Sequence, residues 1–209
     1  MAEAICLTGL ALFTTGGCSH LEQKEREPVP AKVARRELGN SMTMKEILFA
    51  YGTDLVIKDS DGVIGTVEQR TLKLTPSFEY RDNNGQVVAY ASQQMLSFGT
   101  HIDIYDSNGA KIGAFQDKVF RNLMSISRMF SIQDSQGNEI GTSNKISFLG
   151  TSIKIYDRNK KHVATISRPA FDLGLADWNI EVTGGDIDPK MLVFIPSYKT
   201  YSDKQSKKK

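Results

Sequence analysis

The chain has 209 residues, 40% of them hydrophobic and 24% charged, with a formal net charge of +2. That length suits one domain with short tails. A mean hydropathy of −0.31 argues against a polytopic membrane protein, and a pI near 8.4 gives no electrostatic footprint for nucleic acid.

The first segment with a pattern is Ile5 to Thr15, an apolar stretch as long as a signal-peptide core, closing on Thr14-Thr15-Gly16-Gly17 directly before Cys18. This resembles a bacterial lipoprotein signal. Residues 1–17 would be removed, Cys18 lipidated, and the chain held in the bacterial cell envelope, with Ser19 compatible with the outer membrane. Glu3 without a Lys or Arg, and Thr15 in place of the usual leucine, depart from that pattern. The alternative is a cytoplasmic protein with a disordered apolar N-terminus; a membrane-spanning helix would need about 20 apolar residues. Cys6 and Cys18 are the only cysteines, so neither a disulfide framework nor a four-ligand zinc site can be built from them. Residues 18–41, with mixed charges and two prolines, read as a tether.

An internal repeat follows: LVIKDSDG from Leu55, FEYRDNNG from Phe78, IDIYDSNG from Ile102, FSIQDSQG from Phe130 and IKIYDRNK from Ile153. Apolar residues stand four and two places before each aspartate (Asp59, Asp82, Asp106, Asp134 and Asp157), a period of two that predicts a strand with one buried face. Glycine follows three places after four of these aspartates, and Lys160 follows Asp157. Asp then Gly at that spacing is the chemistry of a type I turn closing a hairpin through a bulge. Each return strand carries an apolar residue and then a small one (Ile64-Gly65, Val88-Ala89, Ile112-Gly113, Ile140-Gly141, Val163-Ala164), which suggests a bend or a close neighbour. The Asp59-to-Gly62 stretch lacks the ligand frame of a calcium loop, so no metal is expected there.

Five hairpins give ten strands, and MTMKEILF before them and WNIEV after them bring the total to about twelve. Closing such a sheet removes its edges. The fold class expected is mainly β: a closed antiparallel barrel of about 12 strands over residues 42–202. Its lumen is wider than that of an eight-stranded barrel, whose side chains fill it.

The C-terminal segment supplies a filler. Asp188 can cap a helix and Pro189 fits its first turn. Met191 to Ile195 are apolar on every side, as in a fully buried helix. A central helix over 188–201 follows, kinked or ended at Pro196, with Tyr198 and Tyr201 at the mouth and a basic tail over 203–209.

Repeated hairpins followed by a buried helix, with KEILFAYGTDLVIKDSDGVIGTV, YDSNGAKIGAF and IDPKMLVFIPSYK, resemble the LURP-one-related and tubby C-terminal-like superfamily. The resemblance implies a closed twelve-stranded barrel around a central helix. It also brings in relatives, the phospholipid scramblases and the phosphoinositide-binding tubby proteins. No headgroup-binding residue of tubby proteins can be matched to a position here.

The expected function is a membrane-tethered, non-enzymatic module binding lipid or another cell-envelope ligand. Phospholipid handling is the alternative, and no cofactor is called for. An enzyme is disfavoured, because His20, His101 and His162 form no catalytic order with the serines and aspartates. Cys18 is the lipidation candidate, an anchor through which the membrane would be the first partner. Lys118, Arg121 and Arg128, in the longest connection between repeats, and Lys207, Lys208 and Lys209 in the tail are the candidates for anionic headgroup contact.

Overall fold

The computed structural model describes residues 36–47, 52–70, 74–94, 100–122, 125–144, 151–169 and 176–207. The expected signal segment 1–17, the lipidation candidate Cys18, the expected tether as far as residue 35, Lys208 and Lys209 lie outside the described residues.

Each of the five repeats forms a hairpin: β2 (Leu55–Asp59) with β3 (Gly62–Gln69), β4 (Ser77–Asp82) with β5 (Val87–Gln94), β6 (His101–Asp106) with β7 (Lys111–Asn122), β8 (Ser125–Asp134) with β9 (Glu139–Ser143), and β10 (Ser152–Asp157) with β11 (His162–Ser167). The turn aspartate is the local cause. In four hairpins its Oδ1 accepts the backbone N–H groups two and four residues ahead, for example from Asn108 and Ala110 at Asp106. The fourth turn residue takes positive φ, at Gly62, Gly85, Gly109 and Gly137 and also at Lys160. Just past each turn the return strand holds one extra residue, Ile64, Val88, Ile112, Ile140 or Val163, between consecutive register pairs. These bulges increase the twist that closing a sheet requires.

Strands β1 (Ser41–Glu46) and β12 (Asp177–Val182) flank the repeats and pair with each other, so the sheet closes into an antiparallel barrel of twelve strands. The period of two holds around it: Leu55, Ile57, Phe78, Tyr80, Ile102, Ile104, Ile132, Ile153, Ile155, Trp178 and Ile180 are all buried. The barrel has a turn end, where the aspartates sit, and a mouth end, where the connections between repeats leave.

After β12 the chain enters the lumen at the turn end. Asp188 caps helix α1 (Pro189–Leu192) by accepting the Lys190 N–H, with Pro189 in the first turn. A turn at Val193 separates it from α2 (Phe194–Lys207). The break therefore falls before Pro196 and not at it. Proline has no N–H to donate to residue i−4, here Leu192, and its ring would collide with that carbonyl. Ending α1 at Leu192 puts Pro196 in the first turn of α2, where no donor is needed. The helix also runs past 201 to Lys207, so most of the expected basic tail is helix.

At Gly113, the small residue after one bulge, helix α1 passes close to the wall. A Cβ on Gly113 would meet the Met191 side chain and, at 2.5 Å, the Gln133 carbonyl. Met191, Leu192, Val193, Phe194, Ile195, Ser197, Tyr198 and Thr200 are buried.

Candidate functional site

α2 does not stand in the middle of the lumen. One flank is tied to the wall: Trp178 Nε1 of β12 donates to Thr200 Oγ1 at 2.9 Å, Tyr198 Oη donates to the Pro76 carbonyl at 3.0 Å, and Lys204 pairs with Glu46 of β1. Burial pushes the Tyr198 phenol far above its ordinary value, so it stays a neutral donor. The Phe78 ring meets Tyr198 edge-on at 4.7 Å.

Beside α2, and reaching Tyr198 and Pro76, lies a cavity of about 740 Å³ at the mouth end. Its barrel wall is Ile102 of β6, Phe115 and Asp117 of β7, Phe130 of β8 and Ile153 of β10, with Pro76, Gln93 and Thr100 at the rim. The helix contributes Phe194, Ile195, Tyr198, Lys199, Tyr201, Ser202, Asp203, Gln205 and Ser206, so the floor is apolar and polarity rises toward the mouth. That volume lies inside the usual range of about 300–1,000 Å³ for small-molecule sites, and a mostly apolar lining with few polar groups is their usual chemistry.

The charged residues of the lining are Asp117, Lys199 and Asp203, and Arg168 joins the last two in a cluster. Lys199 pairs with Asp203 one turn on, and Arg168 Nη2, just past β11, lies 2.8 Å from Asp203 Oδ2. All three side chains are largely buried, at 17, 18 and 19% exposure for Lys199, Arg168 and Asp203. Arg168 also stacks over the Trp178 ring at 4.9 Å, a cation–π contact that fixes its plane.

A second polar cluster lies on the outer face of β6. Asp103 is 2% exposed and is held by Lys111, Gln94 and His101, with His101 Nε2 at 3.0 Å. Burial alone would raise its carboxyl, but the hydrogen bonds from Lys111 and His101 hold it below its ordinary value. A carboxylate already shared among these partners acts as an anchor between strands. His101, the first residue of β6, is one of its partners. His162 opens β11 half-buried, with Nε2 at 2.8 Å from Thr165 Oγ1 and the Tyr156 ring beside it.

Lys118, Arg121 and Arg128 do not lie in a loop, because β7 and β8 run through this segment as a long hairpin. In register, Asp117 pairs with Phe130, Val119 with Arg128 and Arg121 with Ile126. Positions 121 and 128 thus continue the face that carries Asp117 and Phe130, and position 118 falls on the other. Lys207 is exposed at the end of α2. The sequence reading missed Arg168, Lys199 and Asp203. The spacing of four between Lys199 and Asp203, next to Phe194, Ile195 and Tyr198, was the available signal for them.

Among the described residues, no group of three His, Cys, Asp or Glu could hold a metal, and no helix is long and apolar enough to cross a membrane. No curated protein matches the sequence significantly. A crystal structure of a protein from Arabidopsis thaliana is similar at 12% identity, covering 76% of this chain and 89% of that one with a TM-score of 0.49. The LURP-one-related family model matches residues 41–195, from the first strand of the barrel into the second segment of its central helix. The chain belongs to the LURP-one-related family.

Proposed function

We propose that this chain is a membrane-tethered, non-enzymatic binding barrel that takes an amphipathic ligand, a lipid or another cell-envelope molecule, into the lumen beside α2. The observation that carries the reading is the cavity: about 740 Å³, apolar at its floor and polar at its mouth. A wall of Ile102, Phe115, Phe130 and Ile153 offers an alkyl chain transfer out of water at about 0.8 kcal/mol per buried methylene. The rim offers hydrogen-bonding groups to a head. The tether rests on Ile5 to Cys18; two acyl chains on Cys18 would give stable anchoring in the cell envelope.

The test is mass spectrometry of natively purified protein, reading the mature N-terminus and an organic extract together. The expected result is an acylated Cys18 as the first residue and an amphiphile in roughly equal amount to the protein. An unmodified Met1 would sink the tether, and an extract without any amphiphile would sink the lumenal ligand. Transfer of phospholipid between vesicles by the purified chain would move the reading from binding to phospholipid handling.

A further inference from the structure

The polar groups of the cavity divide into those already engaged and those with hydrogen-bonding capacity to spare. Its described charges are all engaged. Lys199 and Arg168 share the Asp203 carboxylate, the Arg168 guanidinium also stacks on Trp178, and Asp117 is not free either. The spare capacity is neutral. Gln93, Thr100, Ser202 and Gln205 line the cavity, and their side chains make no hydrogen bond to another described residue. On α2, Ile195, Tyr198, Ser202 and Gln205 follow one another at steps of three and four residues, so one stripe of the helix runs from apolar at the floor to hydroxyl and amide at the mouth. On the wall, Gln93 of β5 stands opposite Ile102 of β6 in register, beside the apolar patch.

A charged head suits this arrangement poorly. It would lie in a partly enclosed site with no unpaired opposite charge among the described residues, or it would displace a member of the Lys199, Asp203 and Arg168 cluster and leave that member uncompensated. Either penalty exceeds the net gain from a neutral hydrogen bond. We infer that the lumen takes an amphiphile whose head is uncharged and rich in hydroxyl or amide groups, as in an acylglycerol or a glycolipid, with its chain against Ile102, Phe115, Phe130 and Ile153 and its head among Gln93, Thr100, Ser202 and Gln205. This inference rests on the proposed lumenal binding and adds the charge class of the head and the residues that read it. A glutamine amide both donates and accepts, so it meets a hydroxyl in either role.

The test uses the full-length chain and N-phenyl-1-naphthylamine, a neutral fluorophore that brightens in apolar sites. It is displaced in turn by monopalmitoylglycerol, palmitate, hexadecyltrimethylammonium and palmitoyl lysophosphatidylcholine, which carry one chain length and a neutral, anionic, cationic or zwitterionic head. Displacement by the neutral lipid at concentrations at least about tenfold below each of the others is expected. Variants then tie the preference to residues, each read as a ratio of displacing concentrations within one protein, so that a change in overall affinity does not enter. In the double variant Gln93→Leu with Gln205→Leu, the preference for the neutral head should fall about threefold or more, the effect of losing a neutral hydrogen bond. Asp203→Asn leaves Lys199 and Arg168 without their carboxylate, so palmitate should gain about tenfold on monopalmitoylglycerol. A charged or zwitterionic amphiphile that displaces as well as the neutral one, or ratios unmoved in both variants, would overturn the uncharged head and leave lumenal binding standing. Absence of fluorophore uptake and of any displacement would overturn lumenal binding itself.

Discussion

Lys160 occupies the position that the other four hairpins give to glycine, with φ 62° in the left-handed region. An L residue there costs about 1–2 kcal/mol from the approach of Cβ to the backbone. The hairpin still closes, because the Lys160 N–H donates to the Asp157 carbonyl at 3.0 Å and Asp157 Oδ1 accepts from Asn159 and Lys161. Lys160→Gly should therefore stabilise the protein by about 0.5–1 kcal/mol, the relief being partly offset by the freedom glycine adds to the unfolded chain. Gly137→Ala is the mirror experiment. Its φ is 86° and no atom lies within 4 Å of the added Cβ, so the backbone alone opposes the change. It should cost about 1 kcal/mol or more. Urea midpoints of the two variants, at unchanged slope, check both, and shifts of the same sign would contradict the argument. The turns were readable in sequence at this scale because Asp and Gly act within five residues of each other.

Elements were legible where one local rule decided them and were misplaced where two rules met. The strands followed from the period of two, and the start of α1 from Asp188 and Pro189. The break in the helix was expected at Pro196 and lies at Val193, because a proline disturbs the residue four places before it and not its own position. In the sequence, 118–128 reads as a connection, since its Lys and Arg residues mask the alternation that β7 and β8 continue. The position of the break makes a prediction about Pro196. In the middle of a continuous helix, its replacement by alanine would relieve about 3 kcal/mol. In the first turn of α2 no hydrogen bond is missing there, so Pro196→Ala should change stability by less than about 1 kcal/mol. Thermal unfolding with a measured enthalpy decides between these values, and a gain near 3 kcal/mol would mean that the proline strains the helix where it stands.

For the molecule as a whole, the repeat made the barrel legible, since five bulged hairpins leave a sheet with two edges to join, and β1 with β12 joins them. The cavity was not legible, because it depends on which wall the helix leans against. Trp178, Pro76 and Glu46 draw α2 to one side, and no two of these residues are near each other in sequence. The helix remains the centre of the core. Met191, Leu192, Val193, Phe194, Ile195 and Tyr198 are at most 9% exposed and belong to the same buried cluster as the inward residues of the strands. Burying each contributes about 1.5–3 kcal/mol. Together they amount to about 10 kcal/mol or more, as large as the whole stability of a typical domain. Ending the chain after Asp188 removes all of them and leaves a twelve-stranded lumen lined with apolar side chains open to water. The strand pairs would survive that loss only if hairpin and edge hydrogen bonds could hold the sheet without its core, and isolated hairpins are marginal in water. The truncated chain should therefore lose its near-UV circular dichroism and its dispersed amide resonances, while the Pro196→Ala chain keeps both. A folded, monomeric truncation would show that the barrel is stabilised by its wall and that the helix is an occupant, as the ligand is proposed to be.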